Sequence, residues 1–283
     1  MALNNYSLSF NNFVFGNGSP YQVESVTGLT DLPSLRVQDS NRGYLDGQFS
    51  GRDFYNGRNI TVTILTLAGN GKSAQANFLL LQAALQPQQT GTGTLQFQLS
   101  PSSALQVINA RVRAGMTIVD PNFTFGYIRS QYTFFAPNPL YFDNAVQTAS
   151  ASPTPNGGRT YNRVYNLTYP IGSIGTSTTI TNNGIATTYP TITINGPVTK
   201  PVIGSVTQNT YLYFSNTLGA GDVLVIDLYN RTVLFNGTPA RNLLLGASGW
   251  FNAKPGANLF YFTGSGYTVG VTSATITWQN AYV

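Results

Sequence analysis

Residues 182–197 restrict the fold more than any other segment, because a polar, turn-rich stretch runs into an alternating strand pattern and then a second turn. Ile192 and Ile194 alternate there with threonines, which is the period of a half-buried β-strand. Similar patterns recur at short intervals through the second half of the chain, with turn signals between them and no helical periodicity. The predicted strands are residues 163–169, 176–181, 191–194, 211–214, 223–228, 232–235, 259–263 and 275–278. Such a series predicts a β-sandwich of jelly-roll or galectin-like kind.

The first half of the chain combines strand patterns with one helix. Its predicted strands are residues 58–67, 95–99, 107–112 and 127–135. A helix is predicted over about residues 73–86, because Ser73 can cap its first turn, Phe78 and Leu85 fall at helical spacing, and Pro87 lies just beyond its end. We therefore expect a mainly β protein, with an N-terminal β-domain containing one α-helix followed by the C-terminal sandwich.

A domain boundary is predicted where small residues, prolines and glycines replace periodic patterns, over residues 148–158. The predicted organisation is a domain at 1–147, a linker at 148–160 and a second domain at 161–283. A chain of 283 residues is long enough for two domains that each bury a core without cross-links.

Composition argues against several kinds of function. The chain has no histidine and no cysteine, which removes the usual general base, the commonest metal ligands and most activated nucleophiles. The net charge of +5 is scattered as single residues, so no specific nucleic-acid recognition is expected. The start of the chain does not resemble a signal peptide and no apolar run reaches about 18 residues, so no membrane insertion is expected. No cofactor or metal is expected either.

Charged residues are concentrated in one short span of a chain in which only 8% of residues are charged. Their signs alternate, which favours ion pairs within or between subunits over phosphate binding. The candidate inter-subunit residues are Arg36, Asp39, Arg42, Asp46, Arg52, Asp53 and Arg58. Arg111 and Arg113 stand two apart on a predicted strand, so both are expected on one face, where they line a channel or face water.

Aromatic residues near the C-terminus have two interpretations. Trp250, Tyr261, Tyr267 and Trp278 can form a stacking platform for glycans, or they can belong to the sandwich core. An exposed, co-planar pair of rings would favour a lectin, and full burial would favour a scaffold.

An enzyme is the third possibility, and it depends on few residues. Asp222 and Asp227 are the closest carboxylates in sequence and can act as an acid and a base if they face each other. Their positions beside turns favour capping of a hairpin instead. Residues 69–73 end like a phosphate-binding loop, but Thr66 stands where that motif needs a glycine, so a turn and a helix cap explain them better.

Several motifs follow one another in a specific order along the chain. In the first half they are residues 26–29, 32–36, 46–47, 55–60 and the run Phe-Phe-Ala-Pro-Asn-Pro-Leu-Tyr at 134–141. In the second half they are residues 182–197, 221–227, 231–233, the pair Trp250-Phe251 and the run Lys-Pro-Gly-Ala-Asn at 254–258. Their order resembles that in siphophage distal tail proteins and related minor tail proteins. Many relatives have an aspartate where Asn138 stands here.

This resemblance implies a structural virion protein rather than an enzyme. Its first domain would close into a six-membered ring, from which the galectin-like domain projects. The implied partners are further copies of the chain, the tail tube protein, the tail-tip or tail-associated protein and the tape measure, with DNA passing through the lumen. The implied location is the tip of the virion tail, after synthesis in the host cytoplasm. The alternative is a carbohydrate-binding or adhesin module that recognises host surface glycans.

Overall fold

The computed structural model describes residue 3 and residues 6–100, 104–153 and 176–283. The chain divides into two compact units: the first comprises Met1–Asn144 with Tyr282–Val283, and the second comprises Ala145–Ala281. The predicted strand at 163–169 and the last part of the predicted linker lie outside the described residues. No helix in the described ranges is long and apolar enough to cross a membrane.

The described residues of the first unit form twelve strands and two helices. The strands are β1 (Ser7–Phe10), β2 (Phe13–Gly16), β3 (Tyr21–Thr27), β4 (Leu35–Arg36), β5 (Ser40–Asn41), β6 (Gln48–Phe49), β7 (Phe54–Tyr55), β8 (Arg58–Thr66), β9 (Gly93–Gln98), β10 (Gln106–Ile118), β11 (Ile128–Ala136) and β12 (Tyr141–Asp143). The helices are α1 (Ala74–Ala84) and the short α2 (Pro121–Thr124).

The long strand β10 organises this unit. Its first half pairs with β9 and its second half with β11, and the strand order is β2-β1-β9-β10-β11-β8-β3, with β12 beside β10. Apolar residues alternate inward, as in β8, where Ile60, Val62 and Ile64 are fully buried between half-exposed threonines. Buried apolar side chains from most of the paired strands pack together with Leu81 of α1 and form one core.

The helix α1 begins where the sequence predicts it. The Ser73 hydroxyl accepts a hydrogen bond from the Ala76 backbone N–H at 3.3 Å, and Leu85 follows the last turn. Residues Gly69 and Lys72 close the preceding turn through two backbone hydrogen bonds of 3.0 Å. Gly69 and Gly71, which resemble part of a phosphate-binding loop in sequence, therefore belong to a turn that precedes the helix N-cap.

The second unit is a sandwich of two sheets. Its strands are β13 (Gln147–Ala151), β14 (Thr176–Asn182), β15 (Thr191–Asn195), β16 (Val198–Ser205), β17 (Thr210–Tyr213), β18 (Thr217–Leu218), β19 (Val223–Asp227), β20 (Thr232–Phe235), β21 (Thr238–Pro239), β22 (Gly256–Ser265), β23 (Ser273–Trp278) and β24 (Ala281–Tyr282), whose last residue belongs to the first unit. One sheet has the order β13-β23-β15-β19-β20-β21, and the other β14-β22-β16-β17 with β18 beside β16. Their inward side chains share one core, and a 3-10 turn at Arg241–Leu243 packs at its margin.

The predicted linker begins too early. Residues 147–151 form the strand β13, which pairs in register with β23 from Gln147 opposite Trp278 to Ala151 opposite Ala274. Small residues such as Ala149 and Ser150 carry no visible periodicity, yet Ala151 is buried in the sandwich core. Their place in the sheet is decided by a partner strand more than 120 residues away, which a local pattern cannot show.

Candidate assembly surface

Residues 34–56, here called the arm, form an exposed two-stranded excursion between β3 and β8 of the first unit. The strand β4 pairs with β7, and β5 pairs with β6. The arm closes near its outer end, where the Arg42 N–H donates to the Gly47 carbonyl at 3.3 Å. Every residue from 34 to 53 is exposed. At about 3.3 Å per residue, each side of the arm reaches roughly 30 Å.

The base of the arm is fixed to the core at two glycines. Gly28 has a φ of +76°, and a Cβ there would lie 2.0 Å from the Asn59 carbonyl oxygen. At Gly57 a Cβ would lie 2.6 Å from the Phe135 ring. Gly28 therefore requires glycine, whereas a Cβ at Gly57 would displace the Phe135 ring. The two ends of the excursion enter the sheet side by side, since Thr27 pairs with Thr61.

Arg58, predicted to form an inter-subunit ion pair, is instead buried at the base of the arm. It is 3% exposed, and its guanidinium donates to the carbonyls of Pro139 at 3.1 Å, Gly28 at 3.2 Å and Leu29. Burial lowers the pKa of the Arg58 guanidinium, and Tyr141 and then Asp31 act in the opposite direction. The prediction is wrong for Arg58, because convergent carbonyl groups satisfy most of its donors and solvent does not reach it.

The other three arginines of the charged cluster stack on aromatic rings of the arm. The guanidiniums of Arg36 and Arg52 lie 5.2 and 5.1 Å from the Phe54 ring centre, and that of Arg42 lies 4.9 Å from Phe49. These are cation–π distances, which hold the guanidiniums without neutralising them. Within the described ranges, none of these arginines forms an ion pair with a carboxylate of the same chain.

The aspartates of the arm differ in their roles. Asp39 accepts a hydrogen bond from the Gly51 N–H at 2.7 Å and so closes the break between the two short ladders. Asp46 and Asp53 are exposed. Inter-subunit pairing therefore remains a prediction for six of the seven residues: Arg36, Asp39, Arg42, Asp46, Arg52 and Asp53.

The arm also carries large apolar side chains that the rest of the chain leaves uncovered. Tyr44 is completely exposed and Leu45 is 73% exposed. The remaining members are Leu35, Val37, Phe49 and Tyr55, each about half exposed or more. Soluble monomers rarely expose contiguous apolar patches larger than a few hundred Å². A two-stranded excursion of this composition is typical of an interaction surface.

The two arginines predicted to line a channel lie on β10 beside a bulge between Val112 and Ala114. Arg111 is opposite Phe135 in the register, and the Arg113 guanidinium lies 4.7 Å from the ring centre of the same phenylalanine. Both arginines are thus on the face of β11 that also carries Thr133. On that face the Thr133 and Thr61 hydroxyls are 3.4 Å apart.

The only ion pair in the part of the chain that the structure describes was not found by sequence reasoning. Arg129 donates to both carboxylate oxygens of Glu24, at 2.6 and 2.8 Å. Glu24 is on β3 and Arg129 on β11, and both strands flank β8. The residues are 105 positions apart, so no local spacing indicates the pair.

The four predicted glycan-contact residues do not form one platform. Trp278 is 9% exposed, packs in the sandwich core and donates its indole N–H to the Thr181 carbonyl at 3.1 Å, which leaves it no face for a sugar. Trp250 is half-buried with the Arg241 guanidinium 5.8 Å from its ring centre. Tyr261 and Tyr267 are half-exposed. For Trp278 the prediction is wrong, because strand alternation turns its ring inward.

The structure places a different group of aromatic rings around Tyr261. The Tyr211 ring centre lies 6.4 Å from that of Tyr261, at 90°, and 6.2 Å from that of Tyr213, at 48°. All three rings are half-exposed on the sheet that contains β17 and β22. The rings are not co-planar, so the arrangement predicted for a lectin is not present in this group.

The two carboxylates considered for catalysis are turn caps. Asp222 accepts hydrogen bonds from the Gly219 N–H at 2.7 Å and the Asn236 amide at 2.9 Å, and these bonds lower the pKa of its carboxyl, that from Asn236 most. Asp227 accepts from the backbone N–H groups of Tyr229 and Asn230 at 2.8 and 2.9 Å. Both carboxylates are therefore occupied by local hydrogen bonds. No group of metal-binding side chains occurs within the described ranges.

Comparison with known proteins gives two kinds of match. Residues 183–282 match the family model described as the C-terminal domain of the siphovirus-type tail component. The fold of the whole chain is similar to the crystal structure of the Dit protein of phage SPP1, described as a paradigm of hub adsorption apparatus in Gram-positive infecting phages. The two share 16% identity over 98% of this chain and 99% of that chain, with a TM-score of 0.68.

A weaker similarity is to a chain of the phage P2 baseplate in its activated conformation with Ca. The identity is 12%, the match covers 98% of each chain, and the TM-score is 0.50. A search of curated proteins found no match. These findings confirm the mainly β fold and the resemblance to siphophage tail hub proteins that the motifs indicate.

Proposed function

We propose that this chain, whose residues 183–282 match the model of the siphovirus-type tail component family, is the distal tail subunit of a long, non-contractile phage tail. Its first unit closes into a ring of six subunits. The ring joins the tail tube to the tail-tip or tail-associated protein and leaves a lumen for the tape measure and DNA. The protein is made in the host cytoplasm, acts at the tip of the virion tail and carries out no enzymatic reaction.

The observation that carries this proposal is the uncovered arm. A head-to-tail ring needs two different surfaces on each subunit, and an exposed excursion that ends in Tyr44 and Leu45 provides one of them. Burial of apolar area is the main favourable term in subunit association, at about 25 cal/mol per Å². The exposed charges of the arm then set the register between subunits, since exposed ion pairs contribute little free energy but discriminate among contacts.

The lumen is proposed to follow the face of β10 and β11 that carries Arg111, Arg113 and Thr133. This face carries the Thr61 and Thr133 hydroxyls and two arginines, of which Arg113 stacks on the Phe135 ring and keeps its positive charge.

The test is the mass of the purified protein by light scattering, with negative-stain images of the same fraction. Wild type is expected to give rings of six subunits. A variant in which a short Gly-Ser link replaces residues 35–55 is expected to remain folded and monomeric, because Ser34 and Asn56 are already joined by a 2.8 Å backbone hydrogen bond. Rings formed equally well by this variant would contradict the role of the arm. A monomeric wild type at high concentration would contradict autonomous ring closure.

The alternative function is recognition of host surface glycans, and its candidate site is a group of tyrosine rings that are close together but not co-planar. Tyr211, Tyr213 and Tyr261 place three half-exposed rings together on an outer sheet face. Calorimetric titration with a panel of cell-surface oligosaccharides tests it. Binding that is lost in Tyr211→Ala and kept in Tyr229→Ala, which changes an exposed tyrosine elsewhere on the second unit, would support the alternative. Absence of binding to the whole panel would count against it.

A further inference from the structure

One asparagine-glycine dipeptide, Asn70-Gly71, forms the two central residues of the turn that precedes α1. The sequence contains seven such dipeptides, of which Asn156-Gly157 lies outside the described residues. They share one chemistry: the glycine N–H can attack the asparagine carboxamide, because glycine has no side chain that hinders the approach. Whether a given dipeptide reacts depends on how freely the two groups can meet. The hydrogen bonds of the fold therefore decide among the dipeptides.

Four of the described dipeptides are restrained by burial or by partners in the chain. Asn183 and Asn195 precede buried glycines, and the N–H of each glycine already donates to an oxygen at 3.0 Å. Asn56 is exposed, but its carboxamide donates to the Ser34 hydroxyl at 3.3 Å. Asn17 is exposed and also has an interaction partner in the chain. Two dipeptides remain, and both lie in two-residue turns with positive φ.

The dipeptide Asn236-Gly237 is held by its asparagine side chain. The Asn236 carboxamide accepts a hydrogen bond from the Val223 N–H at 2.9 Å and donates one to Asp222 at 2.9 Å. Both hydrogen bonds must open before its carbonyl carbon can turn towards the next backbone nitrogen. The φ values here are +48° and +79°, and at Asn70-Gly71 they are +54° and +71°. The two turns thus match in φ and differ in what their asparagine side chains contact.

Asn70 has no such restraint. Within the described ranges, its carboxamide and the Gly71 N–H form no hydrogen bond with the chain, and both residues are exposed. A Cβ at Gly71 would meet nothing within 4 Å. The stem of the turn is nevertheless fixed, because buried Asn77 of α1 donates to the carbonyls of Leu67 at 2.9 Å and Gly69 at 3.2 Å. The two central residues can therefore change conformation without disturbing the core.

We propose that the folded chain is modified spontaneously at Asn70, which is converted to aspartate and isoaspartate. The Gly71 nitrogen bonds to the side-chain carbonyl carbon of Asn70, and the carboxamide nitrogen leaves as ammonia with the proton that Gly71 gives up. Water then adds to one of the two carbonyl carbons of the cyclic imide and opens the ring. The reaction needs no oxidant, reductant or cofactor, and it does not depend on the proposed ring of subunits.

The two products have different effects on the turn. Aspartate keeps the length of the main chain, so Gly69 and Lys72 stay paired and the turn gains a carboxylate. Isoaspartate inserts one more carbon into the main chain between these two paired residues, so we expect the pair to open while Ser73 still caps α1. The glycine-rich run at 69–73 is thus a modification site rather than a nucleotide site.

Peptide mapping of the aged, folded chain tests the proposal. The purified full chain is kept at mildly alkaline pH and then digested with trypsin, which gives separate peptides for residues 59–72 and 232–241. Each peptide contains one Asn-Gly dipeptide, so conversion at Asn70 and at Asn236 is measured independently. Mass spectrometry detects the loss of the amide. Methylation by an isoaspartate-specific methyltransferase with S-adenosylmethionine identifies the isoaspartate product.

The same chain unfolded in urea provides the comparison, because the local sequence alone sets the two rates there. We expect folding to slow conversion at Asn236 about tenfold more than at Asn70, since two side-chain hydrogen bonds must open first. Equal slowing at the two sites, or no conversion at Asn70 in the folded chain, would overturn the inference. Asn70→Gln should remove most of the methylation of the folded chain. Undiminished methylation of this variant would show that the modification lies elsewhere and would also overturn the inference.

Discussion

The guanidinium of Arg58 lies 5.6 Å from the centre of the Tyr141 ring. The Tyr141 ring is also stacked on the Tyr282 ring, with centres 5.6 Å apart and planes at 11°. Arg58 thus gains an aromatic neighbour in addition to three carbonyl acceptors, at the residue where the arm rejoins the core. A cation buried in this way is stabilised by dipoles and a π-face rather than by an ion pair.

Arg58→Met is expected to lower the free energy of unfolding by about 2–4 kcal/mol, because it leaves the carbonyls of the arm base without donors. Urea unfolding followed by circular dichroism measures this change. Arg42→Met is the control: its guanidinium is exposed on the arm, and the expected change is within about 0.5 kcal/mol. Equal effects of the two substitutions would show that Arg58 has no special structural role.

Gly28→Ala is expected to destabilise the first unit by more than about 1 kcal/mol, since it combines a positive φ with a Cβ that would lie 2.0 Å from the Asn59 carbonyl. Gly43→Ala, near the outer end of the arm, meets nothing within 4 Å and should be nearly neutral. Thermal melts of both variants provide the comparison. A neutral Gly28→Ala would mean that the base of the arm adjusts freely.

Trp278→Ala is expected to cost about 3–5 kcal/mol of unfolding free energy, the usual cost of removing a buried tryptophan from a core. Tyr229→Ala, at a 53% exposed ring on the same unit, should cost far less. Chemical denaturation of the two variants decides between core and surface roles. A stable Trp278→Ala variant would revive the interpretation of this residue as a ligand contact.

Asn236→Gly is expected to raise the pKa of Asp222, because the Asn236 amide is the main cause of its lowered value. The folded pKa of Asp222 is depressed, so its contribution to stability is present above the unfolded value of about 3.9 and is lost as the pH falls through the folded value. Carboxyl NMR titration measures the shift.

Glycine tolerates the φ of +48° at this position. Asn209→Gly, at another residue with positive φ, should leave Asp222 unchanged. An unchanged Asp222 in Asn236→Gly would contradict the assignment.

Ring assembly is expected to persist when salt is raised from about 0.1 to 1 M, although this shortens the screening length from about 10 to 3 Å. The reason is that, in the proposed contact, apolar side chains supply most of the association free energy and the charges of the arm only set its register. Light scattering across this range is the measurement. Dissociation at high salt would show that ion pairs contribute more to the free energy of association than the apolar side chains do.

The sequence predicts most of the regular structure because the deciding pattern is local. The alternation of Ile60, Val62 and Ile64 and the Ser73 cap lie in short segments and agree with the structure. The same reasoning cannot separate the arm from a core strand, because Val37 and Phe49 resemble inward residues. Nor can it detect the burial of Arg58, whose acceptors are 29, 30 and 81 positions away. The exposure of the arm and the burial of Arg58 depend on contacts between distant segments that meet only after folding.

The position of the arm in the chain has a consequence for how such subunits diverge. The arm leaves after β3 and returns at β8, and these two strands pair directly, with Thr27 opposite Thr61. An excursion that starts and ends at paired strands can gain or lose residues at a loop-closure cost that grows only slowly, by about 0.6 kcal/mol per doubling of its length. If the chain self-associates as proposed, selection can therefore adjust the reach of the subunit, and with it the contacts of the assembly, while the folding of its core stays unchanged.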